Sequence, residues 1–350
     1  MSSMINISGR SVGAGQPCFV IAEAGVNHNG DIEIAKRLVD VAADAGADAV
    51  KFQTFKAELV VSAGAPMAEY QRETVGDAQS QIAMLRPLEL SREEHVELAE
   101  HCTQRGILFL SSPFDEGSVD MLDEMGMPVF KVASGEINNW PLLRRIAGKG
   151  KPIIMSTGMA DMGEVAAALR MIRDAGNEEV VLLHCVSNYP ADPADANLRA
   201  MGAMEAAFNV PIGYSDHTEG VDVSLAAVAL GACVIEKHFT LDKGMPGPDH
   251  AMSIDPQELK QLVDGVRTVT AALGSGTKET RPSEFIMRDI VRRSIVPTRD
   301  LEVGDVLDAS LLKTVRPGTG LPPEMLDQVI GKRIKRRIPA DQMLTLEDIE

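Results

Sequence analysis

Two histidines, His217 and His238, each follow a short apolar run, within "GYSDHTEGVD" (residues 213–222) and "IEKHFTLDKGMPGPDH" (residues 235–250). If the two runs are neighbouring parallel strands, both imidazoles stand at adjacent strand ends and within reach of one ion. Imidazole ligands suit a divalent transition metal, and two protein ligands leave coordination positions open. The pattern therefore predicts an exchangeable metal acting as a Lewis acid, although either histidine alone would more often be an ordinary buried residue.

Two lysines lie in apolar runs where a charge is unusual. Lys51 in "AVKFQTF" and Lys131 in "VFKVASGE" alternate with apolar neighbours that should pack outward, so both should point into the interior. A buried lysine needs an anionic partner. Hydroxyl groups at other predicted strand ends would add hydrogen-bond donors: Ser134, Ser156 and Ser215. Together these residues predict a cradle for a phosphate and a carboxylate.

The elements that must position these residues alternate regularly along the chain. Eight β-rich apolar runs, each followed by a helical pattern, fill the sequence up to Gly274. Runs rich in Val, Ile and Leu indicate a parallel sheet that is covered on both faces. Eight such units predict an α/β fold, the (β/α)8 TIM barrel, with a doubly wound open sheet as the alternative. Polar residues follow all eight runs, at the end where such barrels carry their active sites.

The pattern changes after the eighth unit. We expect a TIM-barrel catalytic domain over residues 1–275, a linker over residues 276–293 and a small, mostly β domain over residues 294–350. The insertion from Lys56 to Leu90 is long for a barrel loop, and long loops at the catalytic end are often functional.

Composition limits the possible partners and the location. The chain has 350 residues, a mean hydropathy of −0.02 and a net charge of −17. Such an acidic protein is a poor partner for nucleic acid or an anionic membrane. No apolar stretch is long enough for a membrane span and no secretory signal is visible, so we expect a cytoplasmic protein. The four cysteines are widely spaced, which predicts buried free thiols.

Several of these segments resemble, in order, the sialic acid synthase (nonulosonic acid synthase) family. The segments are "IAEAGVNHNGD", "VKFQTF", "SSPFD", "KVASGEI", "STGMA", "GYSDHT", "AAVALGACVIEKHFTLD" and "GPDHAMS". The C-terminal "VRPGTG" and "GKRIKRRIPADQMLTLEDIE" resemble the antifreeze-like (SAF) domain of these enzymes. The resemblance implies a transferase that condenses phosphoenolpyruvate with an N-acylated mannosamine-type aldehyde. The products are phosphate and a nine-carbon 2-keto sugar acid.

The resemblance also implies a role for particular residues. His217 and His238 would hold Mn²⁺, or another divalent cation such as Mg²⁺ or Co²⁺, which polarises the aldehyde oxygen. Glu23 would act on the attacking water as general base or orienter. The phosphoenolpyruvate cradle would comprise Lys51, Lys131, Ser134, Ser156 and Ser215, with help from Ser112. The sugar would contact Gln53, Glu136, Tyr189 and Asp249.

Two features concern the edges of this site. Arg316 in "VRPG" matches a residue that reaches into the partner subunit's barrel, which implies a domain-swapped homodimer. Where the bacterial N-acetylneuraminate synthase pattern has "HCTN-x-YP", this chain has "HCVSNYP". Ser187 therefore stands in place of an asparagine phosphate contact, and either Ser187 or Asn188 could take that role.

The sugar remains open between two substrates. N-acetylmannosamine, which gives N-acetylneuraminate, is favoured slightly over a 2,4-diacetamido-2,4,6-trideoxyhexose, which gives legionaminic or pseudaminic acid. We expect the discriminating contacts in the insertion around Tyr70 to Gln81.

Two other functions are weaker alternatives. A synthase acting on phosphorylated aldehydes would need a second phosphate pocket, for which no spare basic cluster is visible. A non-catalytic carbohydrate- or ice-binding protein would have no use for a metal beside an anion cradle.

Overall fold

A computed structural model of the chain describes residues 4–62, 65 and 80–350. They divide into two compact units, Met1–Gly274 and Ser275–Glu350. The strands of the first unit are β1 (Ile5–Ile7), β2 (Arg10–Val12), β3 (Phe19–Gly25), β4 (Ala49–Thr54), β5 (Leu108–Pro113), β6 (Phe130–Val132), β7 (Ile153–Ser156), β8 (Val180–Cys185), β9 (Ile212–Asp216) and β10 (Val234–His238). Its helices are α1 (Ile32–Ala45), α2 (Ala57–Val60), α3 (Gln81–Leu85), α4 (Arg92–Arg105), α5 (Glu116–Glu124), α6 (Trp140–Ala147), α7 (Met162–Asp174), α8 (Ala200–Phe208), α9 (Asp222–Ala229) and α10 (Pro256–Leu273).

Strands β3 to β10 form one parallel sheet in the order β5-β4-β3-β10-β9-β8-β7-β6. The two end strands, β5 and β6, lie against each other without a backbone ladder, so the sheet curls into a barrel. The predicted TIM-barrel architecture is confirmed, and the doubly wound open sheet is wrong. The short hairpin β1–β2 adds Ile5, Ile7 and Val12 to the apolar core of this unit.

The helices form where the sequence supplies both an apolar stripe and end signals. Helix α1 begins at the N-cap Asp31, whose carboxylate accepts hydrogen bonds from two backbone N–H groups, and it ends at Gly46 with φ of 83°. It buries Leu38, Val39 and Ala42 against the sheet. The capping box that the sequence predicts at the start of α4 is present.

The register of the strands brings the predicted site residues to one level of the barrel. His238 on β10 pairs with Glu23 on β3. Glu23 in turn pairs with Lys51 on β4. On the other side of β10, Lys237 pairs with Asp216 on β9. The chemistry-bearing side chains therefore meet at the carboxyl ends of the strands, as the barrel architecture requires.

The second unit has a separate apolar core. Strands β11 (Ser294–Pro297) and β12 (Leu312–Val315) pair antiparallel, and short helices α11 (Phe285–Val291) and α12 (Leu326–Val329) complete its regular elements. Its buried side chains are Ile295, Leu301, Leu307, Leu312, Leu321, Val329, Ile334, Ile338, Leu344 and Ile349. Helix α11 lies within the segment that we expected to be a linker, residues 276–293.

Three further expectations meet the structure here. All four cysteines are free and buried, as predicted. Across the described ranges, no helix is both long enough and apolar enough to cross a membrane. We expected the contacts that discriminate between the two sugars in the insertion around Tyr70 to Gln81. This segment falls outside the described residues except for its last two positions.

We predict that Gly213→Ala destabilises the barrel. A Cβ atom at this position on β9 would lie 2.5 Å from the Val234 carbonyl oxygen and 2.6 Å from Cδ2 of Leu183, so neighbouring strands would have to move. Overpacking of this kind costs about 1–3 kcal/mol of unfolding free energy, measurable by guanidinium denaturation.

The matched control is Gly202→Ala in helix α8, where an added Cβ meets nothing within 4 Å. This variant should be neutral or more stable by about 0.5–1 kcal/mol, since alanine favours a helix. Equal stabilities of the two variants would contradict the packing argument.

Candidate active site

Four charged side chains meet inside the barrel. Nζ of Lys51 lies 2.6 Å from Oε2 of Glu23 and 3.7 Å from Oε2 of Glu236. Nζ of Lys131 lies 3.5 Å from Oε1 of Glu236. All four residues are buried, with at most 5% of each residue exposed. Both lysines point inward, as the alternation in the sequence predicts, and Glu236 is the carboxylate that they share.

This clustering shifts the protonation of each group. Burial raises the pKa of Glu23 to about 7, although Lys51 acts in the opposite direction. For Glu236, burial is outweighed by Lys131 and Lys51, which lower its pKa to about 2. Burial lowers the pKa of Lys131, whereas the two carboxylates raise that of Lys51 despite its burial. The two lysines thus favour the ionised form of Glu236, whereas burial moves the pKa of Glu23 toward neutral pH.

Hydroxyl groups surround the charges. Lys51 donates to Oγ of Ser112 at 3.1 Å, and Lys131 donates to Oγ of Ser156 at 2.7 Å. Ser215 donates to Oε1 of Glu236 at 3.1 Å. Because the oxygens of Ser112 and Ser156 accept from ammonium groups, their own hydrogens remain available for a ligand. The two ammonium groups and the hydroxyls of Ser112 and Ser156 can therefore donate hydrogen bonds to an anion.

A second group of small side chains lies beside Lys131. Oγ of Ser134 accepts the backbone N–H of Gly158 at 3.0 Å and lies 3.1 Å from Sγ of Cys185. Ser187 is half-buried, with its Oγ 3.9 Å from the same sulfur, while Asn188 is exposed. Ser187, not Asn188, therefore lies with the cradle residues.

The two histidines lie together as the sequence predicts. Their ring centroids are 5.7 Å apart. Nδ1 of His217 lies 2.7 Å from the Val186 carbonyl oxygen, which only accepts, so the proton resides on Nδ1 and Nε2 keeps a free lone pair. Nδ1 of His238 is buried and has no hydrogen-bond partner among the described residues. Burial lowers the pKa of both histidines, so both imidazoles are neutral and able to ligate.

These features fit one divalent cation with open coordination positions. A ring centroid lies roughly 3 Å from a metal bound at ordinary Zn–N-like distances, so rings 5.7 Å apart can reach the same ion. Within the described ranges, no group of three or more His, Cys, Asp or Glu side chains forms a complete metal cage. The pair therefore suits an exchangeable ion better than a closed structural site.

The residues expected to contact the sugar lie on several loops and one strand. The centroid of the Tyr189 ring lies 4.2 Å from that of His217 at a tilt of 41°, and the ring stands edge-on to His238 at 6.0 Å, so this tyrosine borders the histidine pair. Glu136 is half-buried and accepts a hydrogen bond from Asn139 at 2.7 Å. Gln53 is half-buried on β4, and burial raises the pKa of Asp249, in the loop after β10, to about 6. Their contacts with a sugar stay predictions.

The loops after β3 and β10 are tied to each other. His250 is fully buried, with Nδ1 2.6 Å from Oγ1 of Thr240 and Nε2 3.2 Å from Oδ1 of Asn29. Nδ2 of Asn27 donates to the Phe239 carbonyl and to Ser253. The loop that carries Asp249 is thereby fixed to the strand that carries Glu23.

Some polar residues at strand ends turn away from the pocket. Ser111 bonds to Thr54, which also contacts His95, and Thr157 bonds to the Leu183 carbonyl. Arg316 is exposed in the second unit, directly after β12.

The resemblance assigned no role to Glu236 or Cys185. The signal for Glu236 was its alternation with Lys237, which places it on the same face of β10 as His238.

Comparison with known proteins gives independent evidence on the family. The NeuB family model matches residues 38–278, and the SAF domain model matches residues 292–350. The chain is 47% identical to the N,N'-diacetyllegionaminic acid synthase of Legionella pneumophila, over 97% of this chain and 96% of the relative. It is also 47% identical to the Campylobacter jejuni enzyme of the same name, over 93% of this chain and 98% of the relative.

A solved structure agrees as well. The N-acetylneuraminic acid synthetase of Leptospira borgpetersenii, solved with citrate, superimposes with a TM-score of 0.73 at 37% identity, covering 82% of this chain and 95% of that one. Fold and site thus define a barrel synthase with a C-terminal SAF domain. The chain belongs to the NeuB family, and the predictions of family and of enzymatic function are confirmed.

We predict that Gly158→Ala weakens anion binding. Its Cβ would overlap Oγ of Ser187 and would lie 2.6 Å from Sγ of Cys185 and 2.9 Å from Oγ of Ser134, so the cradle would have to open. Calorimetric titration with inorganic phosphate should show binding weaker by about tenfold, equivalent to roughly 1.4 kcal/mol. Gly135→Ala is the matched control because nothing lies within 4 Å of the added Cβ. Unchanged phosphate binding in the Gly158 variant would refute the assignment of this cradle.

Proposed function

We propose that the protein condenses phosphoenolpyruvate with a 2,4-diacetamido-2,4,6-trideoxyhexose to give N,N'-diacetyllegionaminic acid and phosphate. The observation that carries the reaction is the pair of buried lysines with their hydroxyl partners next to two neutral histidines at the strand ends. The sugar is supported by the two relatives at 47% identity, both N,N'-diacetyllegionaminic acid synthases. They favour this substrate over N-acetylmannosamine, which the sequence alone favoured slightly.

Residues at different positions of the site have different roles in this reaction. Lys51, Lys131 and the serine hydroxyls hold the phosphate and carboxylate of phosphoenolpyruvate, which orients its methylene carbon toward the aldehyde. That carbon forms the new C–C bond, water adds to the resulting cationic carbon, and the tetrahedral intermediate expels phosphate. A divalent cation held by His217 and His238 would supply Lewis-acid polarisation of the aldehyde oxygen.

Glu23 is the residue best suited to take the proton of the attacking water. Burial raises its pKa to about 7, so the carboxylate is a base strong enough to accept a proton near neutral pH and can release it afterwards. Its contact with Lys51 at 2.6 Å fixes its orientation beside the phosphoenolpyruvate cradle.

Phosphate release measures this function directly. With phosphoenolpyruvate and Mn²⁺, we expect turnover with a 2,4-diacetamido-2,4,6-trideoxyhexose to exceed that with N-acetylmannosamine, and EDTA to abolish both. Lys131→Met should lower kcat/KM for phosphoenolpyruvate about 100-fold, since removing one member of a buried charge pair costs roughly 2–5 kcal/mol. Lys149→Met, which removes a half-buried lysine that pairs with Asp120 and Asp123 away from the site, is the control. No release with either sugar would refute the synthase function, and faster turnover of N-acetylmannosamine would refute the choice of sugar.

We propose further that two chains form a domain-swapped homodimer in which Arg316 completes the partner's site. Exposed apolar side chains support a surface that is covered in an assembly: Leu59, Trp140, Met159 and Met162, all in or next to loops that follow barrel strands. Arg316 is itself exposed on the second unit and therefore available to another chain.

Mixing two inactive variants tests this arrangement. If Arg316 acts on the partner's barrel, refolding Arg316→Ala together with Lys131→Met should restore about a quarter of the wild-type sites, because each mixed dimer contains one intact site. Each variant refolded alone is the control. If Arg316 served its own chain or no site at all, the mixture would be no more active than the average of the separate variants.

A further inference from the structure

Each of the two histidines is preceded by a charged residue that the mechanism does not use. Asp216 precedes His217 on β9, and Lys237 precedes His238 on β10. Nζ of Lys237 lies 2.9 Å from Oδ2 of Asp216, and their side chains are 3% and 0% exposed. Successive residues of a strand point to opposite faces, so this ion pair lies on the helix side of the sheet, behind the histidines.

Further hydrogen bonds surround the pair. Oδ1 of Asp216 accepts from the backbone N–H of Thr218 at 2.9 Å and from its hydroxyl at 2.8 Å. Oδ2 also accepts from Ser224 in α9 at 2.6 Å, and Lys237 donates to the Thr218 carbonyl at 2.7 Å. The contacts therefore join both strands, the loop after β9 and the next helix at one point.

The hydrogen-bonded network around Asp216 and Lys237 lies at the two strand ends that carry the imidazoles. Asp216 and Lys237 are register partners in the β9–β10 ladder, which has its last pair at this level. The backbone of His217 is held on one side by Asp216 and on the other by Thr218, both within the network. The distance between the two rings is therefore set by the two strand ends that the ion pair joins.

We propose that the Asp216–Lys237 pair positions His217 and His238 for a shared divalent cation. This inference rests on the proposed metal-dependent function, but it concerns residues outside the pocket that do not touch substrate. A buried ion pair alone is weak support for stability, because its desolvation can offset its attraction. Here the pair joins the two residues adjacent to the ligands, so geometric control of the metal site is its more specific role.

Mn²⁺ binding to the full-length chain tests the proposal without any activity measurement. Titration followed by the electron paramagnetic resonance signal of free Mn²⁺ gives a dissociation constant for each variant. Asp216→Asn should weaken Mn²⁺ binding about tenfold or more, the range found when residues supporting metal ligands are changed. Lys237→Met should act similarly, and the double variant should cost no more than the larger single effect, because one interaction is lost in all three.

Two further variants separate positioning from general destabilisation. Ser224→Ala removes one hydrogen bond from Asp216 and leaves the ion pair, so it should fold normally and weaken Mn²⁺ binding a few-fold. Asp48→Asn disrupts the contacts of the buried Asp48 carboxylate with the more exposed Arg10 and Arg267, directly before β4 and at the opposite ends of the strands. It should lower the free energy of unfolding and leave the Mn²⁺ dissociation constant unchanged.

The outcomes distinguish this inference from the function on which it rests. If the unmodified chain binds Mn²⁺ and the Asp216, Lys237 and Ser224 variants bind it equally well, the pair is only structural and the inference is wrong. If the unmodified chain binds no divalent cation, both the metal assignment and the inference fail. Equal weakening by Asp48→Asn would also overturn the inference, since any loss of stability would then suffice.

Discussion

The structure depends on burying two ammonium groups, those of Lys51 and Lys131, inside the barrel. An isolated buried charge is unstable, and it persists only where counter-charges and hydrogen bonds surround it. Lys51 and Lys131 come from β4 and β6, and their shared partner Glu236 comes from β10, which neither strand adjoins. The cluster therefore forms only when the sheet has curled until these strands face each other. The charges are neutralised only when the barrel has closed correctly, so the two conditions are met together.

Burial of the two lysines also preorganises the site for an anion. Both lysines lose their side-chain freedom when the chain folds, so a ligand need not order them again. The hydroxyls of Ser112 and Ser156 already accept from the ammonium groups and direct their remaining hydrogens elsewhere. A site preorganised in this way stabilises developing charge without rearranging at the moment of reaction.

The sequence predicted much of this arrangement because a parallel barrel has few free parameters. Eight strand-helix units define the fold, and alternation within a strand decides which side chains face inward, which is why Lys51, Lys131, His217 and His238 could be placed. Pairing across the barrel is not encoded in any local pattern, so the role of Glu236 as shared counter-ion emerged only from the structure. The same alternation separates two neighbours on β5, because Ser112 faces Lys51 inside the barrel whereas Ser111 bonds outward to Thr54.

Selection of the sugar has a different physical basis from the chemistry. The two candidate sugars share an aldehyde beside an N-acylated carbon and differ at carbons far from the new bond. The strand-end residues are proposed to act at the reacting carbon, so we expect recognition of the distant carbons to come from the loops above them. One of these loops is already fixed, because His250 bonds to Asn29 and holds the segment of Asp249 against the loop that follows β3. Since β3 also carries Glu23, the sugar contact proposed for that segment and the proton transfer proposed for Glu23 would share one rigid support.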